Sequence, residues 1–216
     1  MTLFYYLLTL FVKSSLFLFA RWQVKGRENV PSRGPLIVVA NHLSLVDPPL
    51  LSVSIPRRIV FMAKEEAFRS PILGPLVRVG RAFPVQRERL DREALRQAQQ
   101  VLGQGLVLGM FPEGKRSITA EMQRAYHGTS LVAIRSGAPI LPVGITGTEK
   151  LSLLGLLRRP EITVNIGKPL SVPPIDGKLT RTQLDLATDL IMVRIAELLP
   201  QSYRGNYGGK EAPVAD

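Results

Sequence analysis

Leu36-Ile37-Val38-Val39-Ala40-Asn41-His42-Leu43-Ser44-Leu45-Val46-Asp47-Pro48-Pro49 begins as an unbroken apolar run and ends in polar residues and two prolines. Residues 36–40 are short, apolar and partly β-branched, the composition of a strand buried on both faces of a sheet. Pro48 and Pro49 suit the first turn of a helix, with Asp47 as its N-cap and 50–55 as its body. His42 therefore falls in a strand-to-helix turn. That is where open α/β sheets place their ligands.

The rest of the chain repeats this alternation. Strands are expected at 58–63, 82–87, 106–111, 140–146 and 162–166, with Pro84 placing the second of these at an edge or a bulge. Helices are expected from Ser70-Pro71 to Gly80, over 91–102, over 128–135 and from a Thr180/Gln183 capping box to Pro200. Residues 24–35 carry Gly26, Pro31, Gly34 and Pro35 and read as a turn-rich connector. The fold class is α/β, with a mostly parallel or mixed central sheet flanked by helices and an N-terminal membrane-associating helix. The division is 1–23 as an apolar membrane anchor, 24–200 as the α/β domain and 201–216 as a glycine-rich disordered tail.

Composition narrows the function. The 216 residues hold 28 Lys+Arg against 17 Asp+Glu, a net charge of +11, and no cysteine. Such a surface attracts polyanions, whether nucleic acid, anionic lipid or a phosphorylated substrate. Disulfides, thiolate metal sites and a cysteine nucleophile are excluded, and with two histidines a His-rich metal site is not expected. Residues 1–20 contain eleven Leu, Phe or Val and one charge, Lys13, and Arg21, Lys25 and Arg27 follow. The charge comes too late for a signal peptide. The pattern fits a membrane span, an in-plane helix with a Thr2, Tyr6, Thr9, Lys13 polar stripe, or a buried core helix. Both membrane readings put the basic flank and the domain on the cytoplasmic face.

Three constellations could carry chemistry, the third being Phe83-Pro84-Val85-Gln86-Arg87, which puts another arginine at a strand end. In the first, a carboxylate five residues from His42 can fix the imidazole tautomer and support a general base near neutral pH. The alternative is a capping Asp47 and a hydrogen-bonded turn histidine. Ser44 is close to His42, but no G-x-S-x-G elbow occurs in the chain, which argues against a serine hydrolase. In the second, Phe111-Pro112-Glu113-Gly114-Lys115-Arg116-Ser117 offers backbone N–H groups, an ammonium, a guanidinium and a hydroxyl at a strand end, the equipment for a phosphate. A solvated basic loop is the alternative. Arg87, Arg89 and Arg92 lack interleaved aromatic residues, so nucleic-acid binding is not expected.

Taken together and in order, these blocks resemble the 1-acylglycerol-3-phosphate acyltransferases and the wider glycerolipid acyltransferase superfamily. The likeness runs from about Leu36 to Gly147. Asn41-His42…Asp47 is similar to the family's NHxxxxD block, which implies His42 as base and Asp47 as its support. Lys64 through Pro71, Gly74, Gly80, Phe83 and Arg87 is similar to the second block, which implies that Arg87 meets the substrate phosphate. Residues 111–117 match the FPEGxRS block, which implies acceptor binding by Glu113, Gly114, Lys115, Arg116 and Ser117. Ile140-Leu141-Pro142-Val143 matches an apolar block placed near the acyl chain. Lys115 stands where members often have threonine, and Tyr126-His127 precedes Gly128 where many have lysine.

The resemblance implies transfer of a fatty acyl group from acyl-CoA or acyl-carrier protein to the free hydroxyl of 1-acylglycerol 3-phosphate, giving phosphatidic acid. No cofactor beyond the acyl donor and no metal is implied. The partners are a lysophospholipid acceptor, the donor, and an anionic membrane surface on its cytoplasmic side. The competing readings are another lysophospholipid or glycerol 3-phosphate as acceptor, and a non-catalytic lipid-binding protein on the same scaffold.

Overall fold

The computed structural model describes residues 2–71, 73–86, 91–151, 158–172 and 179–210. Among them are seven strands: β1 (Arg21–Lys25), β2 (Leu36–Ala40), β3 (Ile59–Lys64), β4 (Phe83–Val85), β5 (Val107–Met110), β6 (Ile140–Thr146) and β7 (Glu161–Ile166). They form one sheet in the order β1-β7-β6-β2-β5-β3-β4. Every neighbouring pair is parallel except β6 and β7, which are antiparallel. The mixed α/β architecture expected from the alternation is the one observed.

The helices are α1 (Thr2–Phe19), α2 (Asp47–Ser54), α3 (Glu65–Arg69), α4 (Leu73–Val79), α5 (Arg92–Gly103), α6 (Gly128–Ser136) and α7 (Arg181–Ala196). Side-chain alternation along β2 builds a core on each face of the sheet. Ile37 and Val39 join residues of α5, α6 and α7 on one face, and Leu36, Val38 and Ala40 join residues of α1 and α2 on the other. All five residues of β2 are fully buried, as their composition requires.

Several local readings differ from the sequence expectation. Arg21–Lys25, taken for a basic flank running into a connector, is an edge strand parallel to β7. Its charged and polar residues alternate with half-buried Trp22 and Val24, and a cationic edge resists pairing with another chain. The segment after Lys64 contributes the short helix α3. From Gln201, where disorder was expected, two 3₁₀ turns follow, Gln201–Tyr203 and Gly205–Tyr207. They are ordered because Tyr207 is buried in the core and Tyr203 packs against it.

Helix α1 buries one narrow stripe. Leu16 and the following Ala20 lie in the core with Val12 beside them, whereas Phe4, Leu7, Leu10, Phe11, Phe17 and Leu18 are exposed. Among the described residues no helix is long and apolar enough to cross a membrane.

The central strands pack closely enough that one residue on β5 has to be glycine. A Cβ on Gly109 would lie 2.7 Å from Ile59 Cγ2 and closer still to the Phe61 ring. Gly109→Ala is therefore expected to destabilise the protein by roughly 1–3 kcal/mol through overpacking. Urea unfolding of the two proteins measures that difference.

Candidate active site

The parallel strands β2, β5, β6 and β3 bring their carboxyl ends to one side of the sheet, and the chain leaving each contributes to a common site. At the end of β2, Asn41 substitutes its side chain for main chain. Its Nδ2 donates to the Ile145 carbonyl at 2.9 Å, and its Oδ1 accepts from Ile145 N at 2.8 Å. An amide side chain has the donor and acceptor of a peptide, so the pairing of β2 with β6 continues while the main chain turns away. That turn carries His42.

His42 is held at four points. Its N–H donates to Glu113 Oε1 at 3.1 Å and its carbonyl accepts from Ser117 N at 2.7 Å. Its ring stacks on Phe111 with centroids 4.1 Å apart, and Nδ1 lies 2.8 Å from Asp47 Oδ2. The same carboxylate oxygen accepts from Leu43 N at 2.7 Å and Ser44 N at 2.8 Å, while Oδ1 accepts from Thr148 Oγ1 at 2.7 Å. An ionised carboxylate can only accept, so the network assigns the imidazole proton to Nδ1 and the lone pair to Nε2.

Asp47 is thus not the cap expected from the sequence. It is the first residue of α2, and the preceding Val46 makes no side-chain cap. The donors that an N-cap side chain normally satisfies belong to the second and third helical residues. Here those are Pro48 and Pro49, which have no N–H. Freed of that role, the carboxylate turns back onto the amides of the preceding turn.

The loop after β5 supports the same turn from the other side. Glu113 is fully buried, with Oε2 accepting from Gln123 N at 2.9 Å and Oε1 from His42 N. Gly114 has a φ of 67°, and a Cβ there would meet the Tyr126 ring at 2.9 Å. Ser117 is buried, whereas Lys115 and Arg116 are exposed and, among the described residues, form no ion pair.

His42, Lys115, Arg116, Ser117 and Thr148 line one cavity of about 1100 Å³. The rest of its wall is largely apolar, with Leu8, Phe11 and Val12 of α1, Leu73 and Leu76 of α4, and Met62 of β3. The structure therefore unites His42, Asp47, Lys115, Arg116 and Ser117. It turns Glu113 into the interior as a brace between two loops, away from the cavity wall. Arg87 lies outside the described residues. The 140–143 block, expected near an acyl chain, is an interior segment of β6 rather than part of the wall. Thr148 and Phe111 were missed as contacts of the His42–Asp47 pair. No local pattern marks either role, because Thr148 is 101 residues from Asp47 and strand pairing alone brings them together.

His42, Asp47, Glu113, Lys115, Arg116 and Ser117 lie within the span that the acyltransferase family model matches, residues 21–146, whereas Thr148 and the α1 part of the wall lie outside it. The chain belongs to the acyltransferase family. It is 29% identical over 177 residues to the 1-acyl-sn-glycerol-3-phosphate acyltransferase of Bacillus subtilis, covering 82% of this chain and 87% of that protein. It is 28% identical over 172 residues to the chloroplastic 1-acyl-sn-glycerol-3-phosphate acyltransferase LPAT1 of Arabidopsis thaliana. That match covers 77% of this chain and 48% of the plant protein, so the chain spans about half of this longer relative. The crystal structure of the 1-acyl-sn-glycerophosphate acyltransferase PlsC from Thermotoga maritima has a TM-score of 0.70 at 29% identity. The similarity covers 90% of this chain and 78% of the Thermotoga chain.

Within this family site Glu113 has an unusual titration. Burial pushes its carboxyl up to about 7, against the opposing effect of the Gln123 and His42 backbone N–H bonds, which favour the charged form. An unfolded glutamate titrates near ~4.3, so between that pH and about 7 the folded protein keeps a proton that the unfolded chain has lost. The contribution of Glu113 to stability is then largest at the acid end and declines as pH rises toward 7. Glu113→Gln cannot titrate. The difference in thermal midpoint between wild type and this variant, measured across that range, should shift steadily against the wild type as pH rises.

Proposed function

We propose that this chain transfers a fatty acyl group from a thioester donor, acyl-CoA or acyl-carrier protein, to the free hydroxyl of 1-acylglycerol 3-phosphate, giving phosphatidic acid. The observation that carries this reading is the opening of the His42–Asp47 pair onto a cavity shared by the cations Lys64, Lys115 and Arg116 and a large apolar wall. A lysophosphatidic acid needs all three features: a base for its hydroxyl, positive charge for its phosphate and apolar surface for its chain. The relatives named above, acyltransferases of 1-acyl-sn-glycerol 3-phosphate, support the same acceptor.

In the proposed reaction His42 Nε2 takes the hydroxyl proton as that oxygen attacks the thioester carbonyl. The new C–O bond forms, the tetrahedral intermediate collapses, the C–S bond breaks, and the imidazolium returns the proton to the departing thiolate. Asp47 offsets the imidazolium charge and keeps Nδ1 as the donor. Lys115 and Arg116 receive the phosphate, with Ser117 beside them and Arg87 assigned there by family resemblance. Glu113 contributes by fixing the loop that carries these cations relative to His42.

The acceptor and product are lipids, and the exposed apolar residues of α1 suit an in-plane contact with the leaflet that holds them. Phe11 belongs both to that exposed surface and to the cavity wall, which would let substrate enter from the bilayer. The basic residues Arg21, Lys25 and Arg27 support the cytoplasmic side.

The chemistry is tested by thiol release from acyl-CoA with purified protein in detergent, comparing 1-acylglycerol 3-phosphate with glycerol 3-phosphate and larger-headgroup lysolipids. His42→Ala should lower turnover roughly 10²- to 10⁴-fold with an unchanged circular dichroism spectrum. Lipid binding that survives this substitution, with no thiol release by the wild type, would instead support the non-catalytic reading. For the surface, changing exposed Phe17 and Leu18 to serine should weaken co-sedimentation with anionic vesicles while leaving the thermal midpoint unchanged.

A further inference from the structure

We infer that Thr148 is a positioning residue for this reaction, holding the Asp47 carboxylate in the one orientation that keeps the His42 proton on Nδ1. The inference rests on the reading of His42 as the base. Three of the four donors to Asp47 come from the turn that it closes, namely His42 Nδ1, Leu43 N and Ser44 N, and all three reach Oδ2. A carboxylate held through a single oxygen can still rotate about its Cβ–Cγ bond. The hydroxyl of Thr148 is the donor to the other oxygen, at 2.7 Å, and it arrives from the far side of a strand pair. That bond fixes the plane of the carboxylate and ties the His42 turn to the end of β6.

The surroundings give the bond its weight. Asp47 is 0% exposed and Thr148 1%, so water has little access to take the place of a lost hydroxyl. The turn that presents Thr148 is itself held in place. Gly147 has a φ of 89°, and a Cβ there would fall on the Glu161 carbonyl, so the close crossing of β7 requires glycine. Lys150 N and Leu151 N close the 3₁₀ turn onto the Gly147 and Thr148 carbonyls. Next along the chain, Glu149 Oε1 accepts from Tyr203 Oη at 2.6 Å, and the Tyr203 carbonyl accepts from Met122 N at 2.8 Å. Gln123, beside Met122, donates to Glu113, which in turn holds His42 N. The 3₁₀ turn Gln201–Tyr203 thus braces both loops that hold the base. Thr148 lies just beyond the span matched by the family model.

The test compares wild type with Thr148→Val, Thr148→Ala and Thr148→Ser. Steady-state thiol release is measured alongside proton NMR of the imidazole Nδ1–H, a signal available whether or not the protein turns over. Val or Ala should lower kcat roughly 10- to 100-fold with KM nearly unchanged, the cost of a misaligned reactive group. Their Nδ1–H resonance should move upfield or broaden through exchange with water. Ser restores the hydroxyl and should bring back both rate and resonance. If Val distorts the packing, the smaller Ala carries the comparison. A kcat within about twofold of wild type for Ala, or a Ser variant no better than Ala, overturns the inference. Wild-type protein that releases no thiol would defeat the acyl-transfer reading, while an Nδ1–H signal unchanged between wild type and the Ala variant would separately defeat the role of Thr148.

Discussion

The Asp47 carboxylate is shut away from solvent and accepts hydrogen bonds from His42, Leu43, Ser44 and Thr148. A buried charge is costly unless its lone pairs are filled by donors, and here they come from the His42 turn and from the end of a different strand. That requirement shapes the region. It bends the chain after β2, fixes which imidazole nitrogen carries a proton, and removes Asp47 from the helix-capping role that its position beside two prolines suggests. The same carboxylate therefore serves the fold and the proposed chemistry.

Around it the sheet acts as a jig. Parallel pairing of β6, β2, β5 and β3 aligns their carboxyl ends, so chain segments far apart in sequence arrive at one place. The supporting bonds are of two kinds. Asn41 imitates a peptide and extends the sheet pairing by one step, whereas Glu113 and Ser117 fasten the loop after β5 to the main chain of His42. Glu113 does this at the expense of its own charge, since burial raises its carboxyl toward neutrality. Lys115 and Arg116, the next residues, project into the open. One short loop thereby separates a buried brace from exposed cations, and the left-handed Gly114 is the hinge between the two directions.

Much of this was legible along the chain. The unbroken apolar run over Leu36–Ala40 required a strand covered on both faces, and it is the central, fully buried one. Strand β6 falls at the expected residues, and the Thr180/Gln183 capping box opens α7. What local pattern obscured was set by partners. Arg21–Lys25 becomes a strand through pairing with β7, and the glycine-rich stretch after Gln201 is ordered because Tyr207 finds a place in the core. Resemblance to the FPEGxRS block implied substrate binding for Glu113, but nothing in a sequence tells which way a side chain turns beside a left-handed glycine.

The sequence by itself determined the central strands and the longer helices, their α/β alternation and the chemical inventory of the site: one histidine at a strand end, a carboxylate within reach, and a basic loop later in the chain. Those are consequences of local residue chemistry and hydrophobic period, which need no distant partner. The tertiary structure alone decided which groups act on one another. Thr148 meets Asp47 across 101 residues, Phe111 stacks on the His42 ring, and Tyr203 braces the loops behind both. Such contacts depend on strand order and register, and these are fixed by burial across the whole sheet rather than by any segment of it.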